Sequence, residues 1–217
     1  MKLTYRLIIS LCLPLLLCGQ VQAQHSGPYV GAFLGGNALM TAKGTDALGE
    51  NFSLKFNPAL QGSAVVGWDF EPGNPVGEGR IELEYTRHSN PLDQVKFVQG
   101  SVDGGGSVTA DSLLVNFYGV VHDSSRWSPY VGVGIGAARI KASGLKVTGQ
   151  SLSNDSDDVL AYQIGGGIDV ELTKRLNLDI GYRYFSTVKP KFTESDGSKS
   201  EMEYISHSAV IGLRLGF

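Results

Sequence analysis

The sequence predicts an all-β fold: an eight-stranded antiparallel barrel of up-and-down topology that crosses a membrane with its strands. Three observations predict it. Gly occurs 29 times in 217 residues, about twice the usual share of roughly 7%, while charged residues make up only 18%. Apolar residues recur with a period of two rather than 3.6. The connections between the alternating segments are themselves alternately long and short.

The first 23 residues stand apart from this pattern. Lys2 and Arg6 form a positive start, 7–18 is apolar, and Val21-Gln22-Ala23 supplies the small residues of a cleavage site, so 1–23 is expected to be a cleaved signal peptide and 24–217 the barrel domain. The apolar stretch covers only about 18 Å of a hydrocarbon core of about 30 Å, too little for a spanning helix. Cleavage removes both cysteines, Cys12 and Cys18, which excludes a disulfide framework, a thiolate nucleophile and Cys-based zinc sites. It also removes two basic residues and no acidic one, taking the net charge from -3 to -5. No basic field steers the chain toward nucleic acid.

Eight segments then follow in order, each named by the apolar face it presents. They are Val30, Ala32, Leu34; Leu60, Ala64, Val66, Trp68, Phe70; Ile81, Leu83, Tyr85; Leu113, Val115, Phe117, Val121; Val131, Val133, Ile135, Ala137; Leu160, Tyr162, Ile164, Ile168, Val170; Leu176, Leu178, Ile180, Tyr182, Tyr184; and Ala209, Ile211, Leu213, Leu215, Phe217. The opposite faces carry charged, small or polar residues. A soluble sandwich or a lipocalin-like calyx would bury the apolar face, whereas a membrane barrel turns it to lipid and encloses the charges. The connections choose between these. Stretches 40–57, 89–106, 141–157 and 188–200 are long, and 71–77, 123–128 and 173–175 are short, in strict alternation. Four long connections on one end are rare in a compact soluble domain and normal in an outer-membrane barrel. They read as four long extracellular loops, with the Gly-rich 102–108 disordered when no partner is bound. Trp68, Phe70, Trp127, Tyr130, Tyr182, Tyr184 and Tyr204 lie near strand ends, where aromatic girdles belong.

With eight strands the interior is just wide enough for side chains to fill it, so a closed polar lumen is expected. Asp69, Arg80, Glu82, Glu84, Asp169, Asp179, Arg183 and Arg214 are the expected lumen ion-pair network. With arginines beside them, the carboxylates satisfy one another's surroundings rather than form an acid/base pair. Gly132, Gly134 and Ala137 match a dinucleotide pattern, but that pattern needs a helix after its strand, and here the alternation continues. His88-Ser89-Asn90 and His207-Ser208 raise the question of a His and Ser pair on the barrel wall. Adjacent strand residues point to opposite faces, so neither pair suits catalysis, and both histidines are expected at the outer interface near the loops. Asp155, Asp157, Asp158, Glu194, Asp196, Glu201 and Glu203 form an acidic rim, expected to be solvated, whose spacing fits no calcium loop. No catalytic residue, cofactor or metal is expected.

Segments 129–137, 161–171, 176–184 and the ending 212–217 resemble the OmpA-like eight-stranded barrel proteins of Gram-negative outer membranes. The resemblance implies secretion to the periplasm and residence in the outer membrane as a monomer, among outer-membrane lipid and lipopolysaccharide. It implies that the barrel-insertion machinery reads Gly212, Leu215 and Phe217. It also implies a structural or surface-recognition and adhesion role through an extracellular ligand at the loops. A lipid A-modifying enzyme and a narrow ion channel are the alternatives.

Overall fold

The computed structural model describes residues 26–45, 51–70, 78–97, 100–121, 126–147, 150–193 and 199–217. The expected signal peptide lies outside them, as do the short connection 71–77, the first half of 123–128, and Glu194 and Asp196 of the acidic rim.

Thirteen strands make up the described chain: β1 Gly27–Leu39, β2 Ala42–Thr45, β3 Asn51–Phe56, β4 Ala59–Asp69, β5 Gly79–Phe97, β6 Gly100–Val120, β7 Trp127–Val147, β8 Gln150–Ser153, β9 Ser156–Thr173, β10 Leu176–Thr187, β11 Lys191–Thr193, β12 Lys199–Met202 and β13 Ile205–Gly216. Eight of them form a ring. β1 pairs β4, β4 pairs β5, and the antiparallel sequence continues through β6, β7, β9, β10 and β13. β13 returns to β1 over Tyr29↔Gly216 to Leu39↔Ser206, which leaves no free edge in this part of the wall.

The pleat sorts the side chains as the period of two requires. Leu34, Leu60, Val66, Leu83, Leu113, Phe117, Val131, Val133, Ile135, Ile164, Ile180, Ile211 and Leu213 are exposed on the outside, an apolar belt with no protein cover. From Trp127 to Ala137, at about 3.3 Å per residue, the belt climbs about 33 Å along β7, or about 25 Å along the axis at a tilt near 40°. Exposed aromatic residues stand at both margins: Trp68, Trp127 and Phe217 at the short-turn end, and Tyr85, Tyr162 and Tyr182 at the other. At the short-turn end Thr173 Oγ1 accepts from the amides of Arg175 and Leu176, closing the tight turn between β9 and β10.

The upper margin of the belt is a row of charges in register. Arg87 lies opposite Asp111, Asp111 opposite Arg139, and Arg139 opposite Asp158, all on the outward face. Arg139 is bidentate to Asp158, both bonds at 2.7 Å, and Arg87 meets Asp111 at 3.2 Å. Alternating signs neutralise the row at the level where lipid headgroups begin.

The long connections differ from expectation. They are strands that extend the wall beyond the belt: β2 and β3 lie in 40–57, β5 and β6 run on through 89–97 and 100–106, β7 and β8 occupy most of 141–153, and β11 and β12 lie in 188–202. The 102–108 stretch expected to be disordered belongs to β6, where Gly106 takes φ +93° at a register shift against β7. A Cβ there would stand 2.4 Å from the Gly144 carbonyl oxygen, so the bulge requires glycine. The extension forms because its inward positions are apolar. Leu54, Phe56, Leu92, Val95, Val108, Ile140, Ala142, Leu145, Phe192 and Met202 form the largest buried cluster in the molecule. The lumen is therefore polar only in the belt half, and above it apolar residues close the interior.

Candidate functional site

The eight residues expected in the lumen all lie on inward positions, and the structure distributes them over two levels. At the short-turn end Arg80 is fully buried. Its guanidinium stands 2.9 Å from Glu82 through Nε, pairs with Asp169 through Nη1 and reaches Asp179 at 3.1 Å through Nη2. Arg214 joins Asp69 at 3.2 Å and shares Asp169 with Arg80. One level higher Glu84 has no arginine partner among the described residues. It accepts from Asn116 at 2.6 Å and Gln163 at 3.0 Å, amides that supply donors without charge. Among the described residues Arg183 reaches the carboxylates through a phenol: its Nη1 donates to Tyr130 Oη at 3.2 Å, and Tyr130 donates to Asp179 at 2.6 Å.

Three tyrosines complete this network, and the sequence reading missed them. Tyr29 donates to Glu82 at 2.7 Å, the Arg80 guanidinium lies 4.1 Å from the centre of the Tyr130 ring, and Tyr118 packs edge-on against Tyr130. Tyr130 and Tyr204, expected in the girdles, are buried inside. The signal was present: Tyr130 shares its face with Gly132, Gly134 and Gly136, and nearness to a strand end outweighed it. The inward glycines make room for these rings. A Cβ at Gly167 or Gly181 would stand 2.6 or 2.5 Å from Tyr130 Oη, and one at Gly165 would stand 2.9 Å from Arg183 Cδ.

The histidines separate. His207 is on the outer face, hydrogen bonded to Tyr182, as expected. His88 is not at the outer interface: it is buried in the lumen, edge-on to Phe185 and 3.4 Å from Tyr204 Oη, because it continues the inward face of Glu82, Glu84 and Thr86. Ser89 is on the other face from His88, and Ser208 points inward to Asn37 and Gln61 while its neighbour His207 points out. Gly132, Gly134 and Ala137 lie within an unbroken β7, without the helix that dinucleotide binding needs.

Most of the described acidic rim is bonded rather than only solvated. Asp155 accepts from the amides of Thr193 and Ser156, which hold its carboxyl below the ordinary value. Asp157 accepts from the Lys191 amide, Asp158 pairs with Arg139, and Glu201 pairs with Lys191 at 3.3 Å.

A closed ring with an apolar exterior and a buried charge network is the arrangement of a lipid-embedded barrel. A family model for the outer membrane protein beta-barrel domain matches residues 9–217. The chain belongs to that family. It is an outer-membrane barrel, and in barrels of this kind the short turns face the periplasm and the long connections the exterior. Solved structures similar to it include Neisserial surface protein A from Neisseria (20% identity, 88% of this chain and 98% of that one, TM-score 0.53). OprG from Pseudomonas aeruginosa has 13% identity, with 91% and 100% covered and a TM-score of 0.53. The outer membrane protease OmpT from Escherichia coli has 9% identity, with 91% and 99% covered and a TM-score of 0.55. At these identities the likeness is one of fold. No curated protein matches the sequence.

Proposed function

We propose that this outer-membrane barrel acts in surface recognition and adhesion through its extracellular half, with the belt half as a sealed anchor. The observation that carries the reading is the filled interior of the belt. Arg80, Glu82, Asp169, Asp179 and Arg214 interlock across it, and the side chains of Arg80, Glu82 and Asp179 are 0% exposed. A plug of this kind supports a closed lumen rather than a diffusion pore. Interactions of the protein then fall to its outer surface and to the walled extension above the membrane, which presents mixed charge: Lys189 with Glu203, Lys191 with Glu201.

The test compares adherence of expressing cells to an epithelial monolayer for three forms: the full chain, a variant with 141–157 replaced by a short turn, and Asn116→Ser in the lumen. Adherence lost in the trimmed form and kept in the lumen form supports the reading. Equal adherence of the full and trimmed forms refutes it. In a planar bilayer the full chain is expected to give no steady conductance, and a stable open level would favour a channel instead.

A further inference from the structure

The outer face of the barrel brings together an imidazole and a thioether that lie 167 residues apart in the chain. β13 closes on β1 in a register that sets His207 opposite Ala38, and the Met40 amide continues the pairing by donating to the Ile205 carbonyl at 2.8 Å. The Met40 side chain falls against His207, with Sδ 3.2 Å from Nε2. Both residues are open to water at the upper margin of the belt: Met40 is 48% exposed and His207 is half-buried. The other described methionine and histidine are kept apart. Met202 is buried in the large apolar cluster, and His88 is enclosed in the lumen against Phe185 and Tyr204.

The His207 ring is held from two sides by β10. Nδ1 is hydrogen bonded to Tyr182 Oη, and the Tyr184 ring packs edge-on with centroids 5.3 Å apart. One ring nitrogen is thus engaged while the other is aimed at sulfur. A hydroxyl both donates and accepts, so Tyr182 suits either tautomer of the imidazole. With Tyr182 donating to Nδ1, the Nε2–H donates to Met40 Sδ and the pair is closed on itself. With Nδ1–H donating to Tyr182, the Nε2 lone pair faces the sulfur lone pairs, which is repulsive unless a cation stands between them. The ring is neutral in both forms, so the exchange releases no net proton. An outer hydrogen bond that fixes the tautomer is what a metal-binding histidine requires.

The donors also select the ion. Both are neutral, and a thioether is a soft ligand that favours Cu(I) over the harder divalent ions. The residues paired with His207 across the ladder, Ala38 on β1 and Tyr184 on β10, bring no carboxylate to offset a second positive charge. Metal bonds of about 2.0 Å to imidazole nitrogen and about 2.3 Å to sulfur, the lengths seen with zinc, span donors 3.2 Å apart or somewhat farther. Met40 is unbranched and free to make that adjustment. We infer that His207 and Met40 form a surface site for a soft monovalent cation, Cu(I), with Tyr182 as the residue that positions the ring. The site exists only where β13 meets β1, so a bound ion also favours the closed barrel. It goes beyond the recognition role and does not depend on it.

The probe is Ag(I), which shares the closed shell of Cu(I) and is not oxidised in air. It is added as the nitrate to the folded chain in detergent micelles, with the methionine methyl groups and histidine rings isotope-labelled for NMR. The Met40 methyl resonance is expected to move and that of Met202 to stay. The His207 nitrogens are expected to show the proton passing from Nε2 to Nδ1 as the ion binds. Loss of an outer partner costs a metal ligand roughly 10–100-fold in affinity, so Tyr182→Phe is expected to raise the dissociation constant on the order of tenfold, and His207→Gln by more. Met40→Leu is expected to abolish the change at the His207 nitrogens. Zn²⁺ is expected to leave Met40 in place. Heat-modifiable migration on a gel verifies that each variant folds. If the Met40 methyl responds to Ag(I) equally in His207→Gln, the sulfur takes the ion alone and the inference is wrong. If it does not respond in the unaltered chain at millimolar Ag(I), the contact is a hydrogen bond and no more, which also overturns it. An unchanged affinity in Tyr182→Phe removes Tyr182 from the site.

Discussion

The Tyr130 hydroxyl donates to Asp179 at 2.6 Å in the buried centre of the belt half, and in the same position accepts from Arg183 at 3.2 Å. One oxygen thus couples a carboxylate to a guanidinium that no described carboxylate contacts directly. Tyr130→Phe keeps the ring under Arg80 and removes the coupling, leaving Arg183 and one lone pair of Asp179 unsatisfied. The expected loss is about 1–3 kcal/mol, read as a lower urea midpoint for unfolding from lipid vesicles. An unchanged midpoint would mean that water replaces the phenol at no cost.

Arg80 is the centre of the lower network, since Glu82, Asp169 and Asp179 all meet it. Arg80→Met leaves those carboxylates with Arg214 as the nearest cation, and breaking one side of a buried network costs about 3–5 kcal/mol. Arg80→Lys keeps the charge but cannot reach three carboxylates with a single ammonium, and should fall between the two. Urea unfolding of the three forms checks the order. A methionine variant as stable as the original would show that the network contributes no net stability.

Gly167 shows how closely the wall and its filling are fitted. A Cβ there would stand 2.6 Å from Tyr130 Oη and 2.3 Å from the Ile180 carbonyl oxygen, which is backbone and cannot yield. Gly167→Val is expected to abolish the fast-migrating unheated band on a gel. The same substitution at Gly36, where a Cβ meets nothing, is expected to leave that band in place. A fast unheated band from Gly167→Val would show that the wall at β9 and β10 can shift.

The strict alternation in 80–85 and 176–184 separated an apolar face from a charged one, because a strand has only two faces, and the alternating long and short connections then assigned the apolar face to lipid. The same rule reached Asp69, Arg80, Glu82, Glu84, Asp169, Asp179, Arg183 and Arg214 as inward positions. It did not identify pairing: Glu84 with amides rather than arginine, and Arg183 with a phenol, depend on height and stagger around the ring, which no single strand encodes. His88 and Tyr130 were legible by parity, yet nearness to a strand end took precedence. The extracellular strands were missed for a different reason. Phe52, Leu54 and Phe56 alternate as a strand does, but Gly and polar residues around them read as loop, and the apolar partners that stabilise them, Val95, Val108 and Ile140, come from other parts of the chain.

Asp155 offers a direct probe of the wall above the membrane. The amides of Thr193 and Ser156 bond its ionised form, so its carboxyl is held below the ordinary aspartate value. A group depressed in the folded state contributes its hold above the unfolded value and loses it as pH falls through the folded one. The contact between Asp155 and β11 is therefore expected to persist at neutral pH and to release only in acid, below the range where free aspartate titrates. Thr193→Pro deletes both the backbone and the side-chain bond of that residue and should raise the titration midpoint of the Asp155 carboxyl carbon, followed by NMR, toward the ordinary value of about 3.9. Lys191→Pro deletes the neighbouring donor to Asp157 and should leave the Asp155 midpoint in place. A midpoint that ignores Thr193→Pro would mean that the Ser156 amide alone holds the carboxylate, and that β11 is kept against β9 by Asp157.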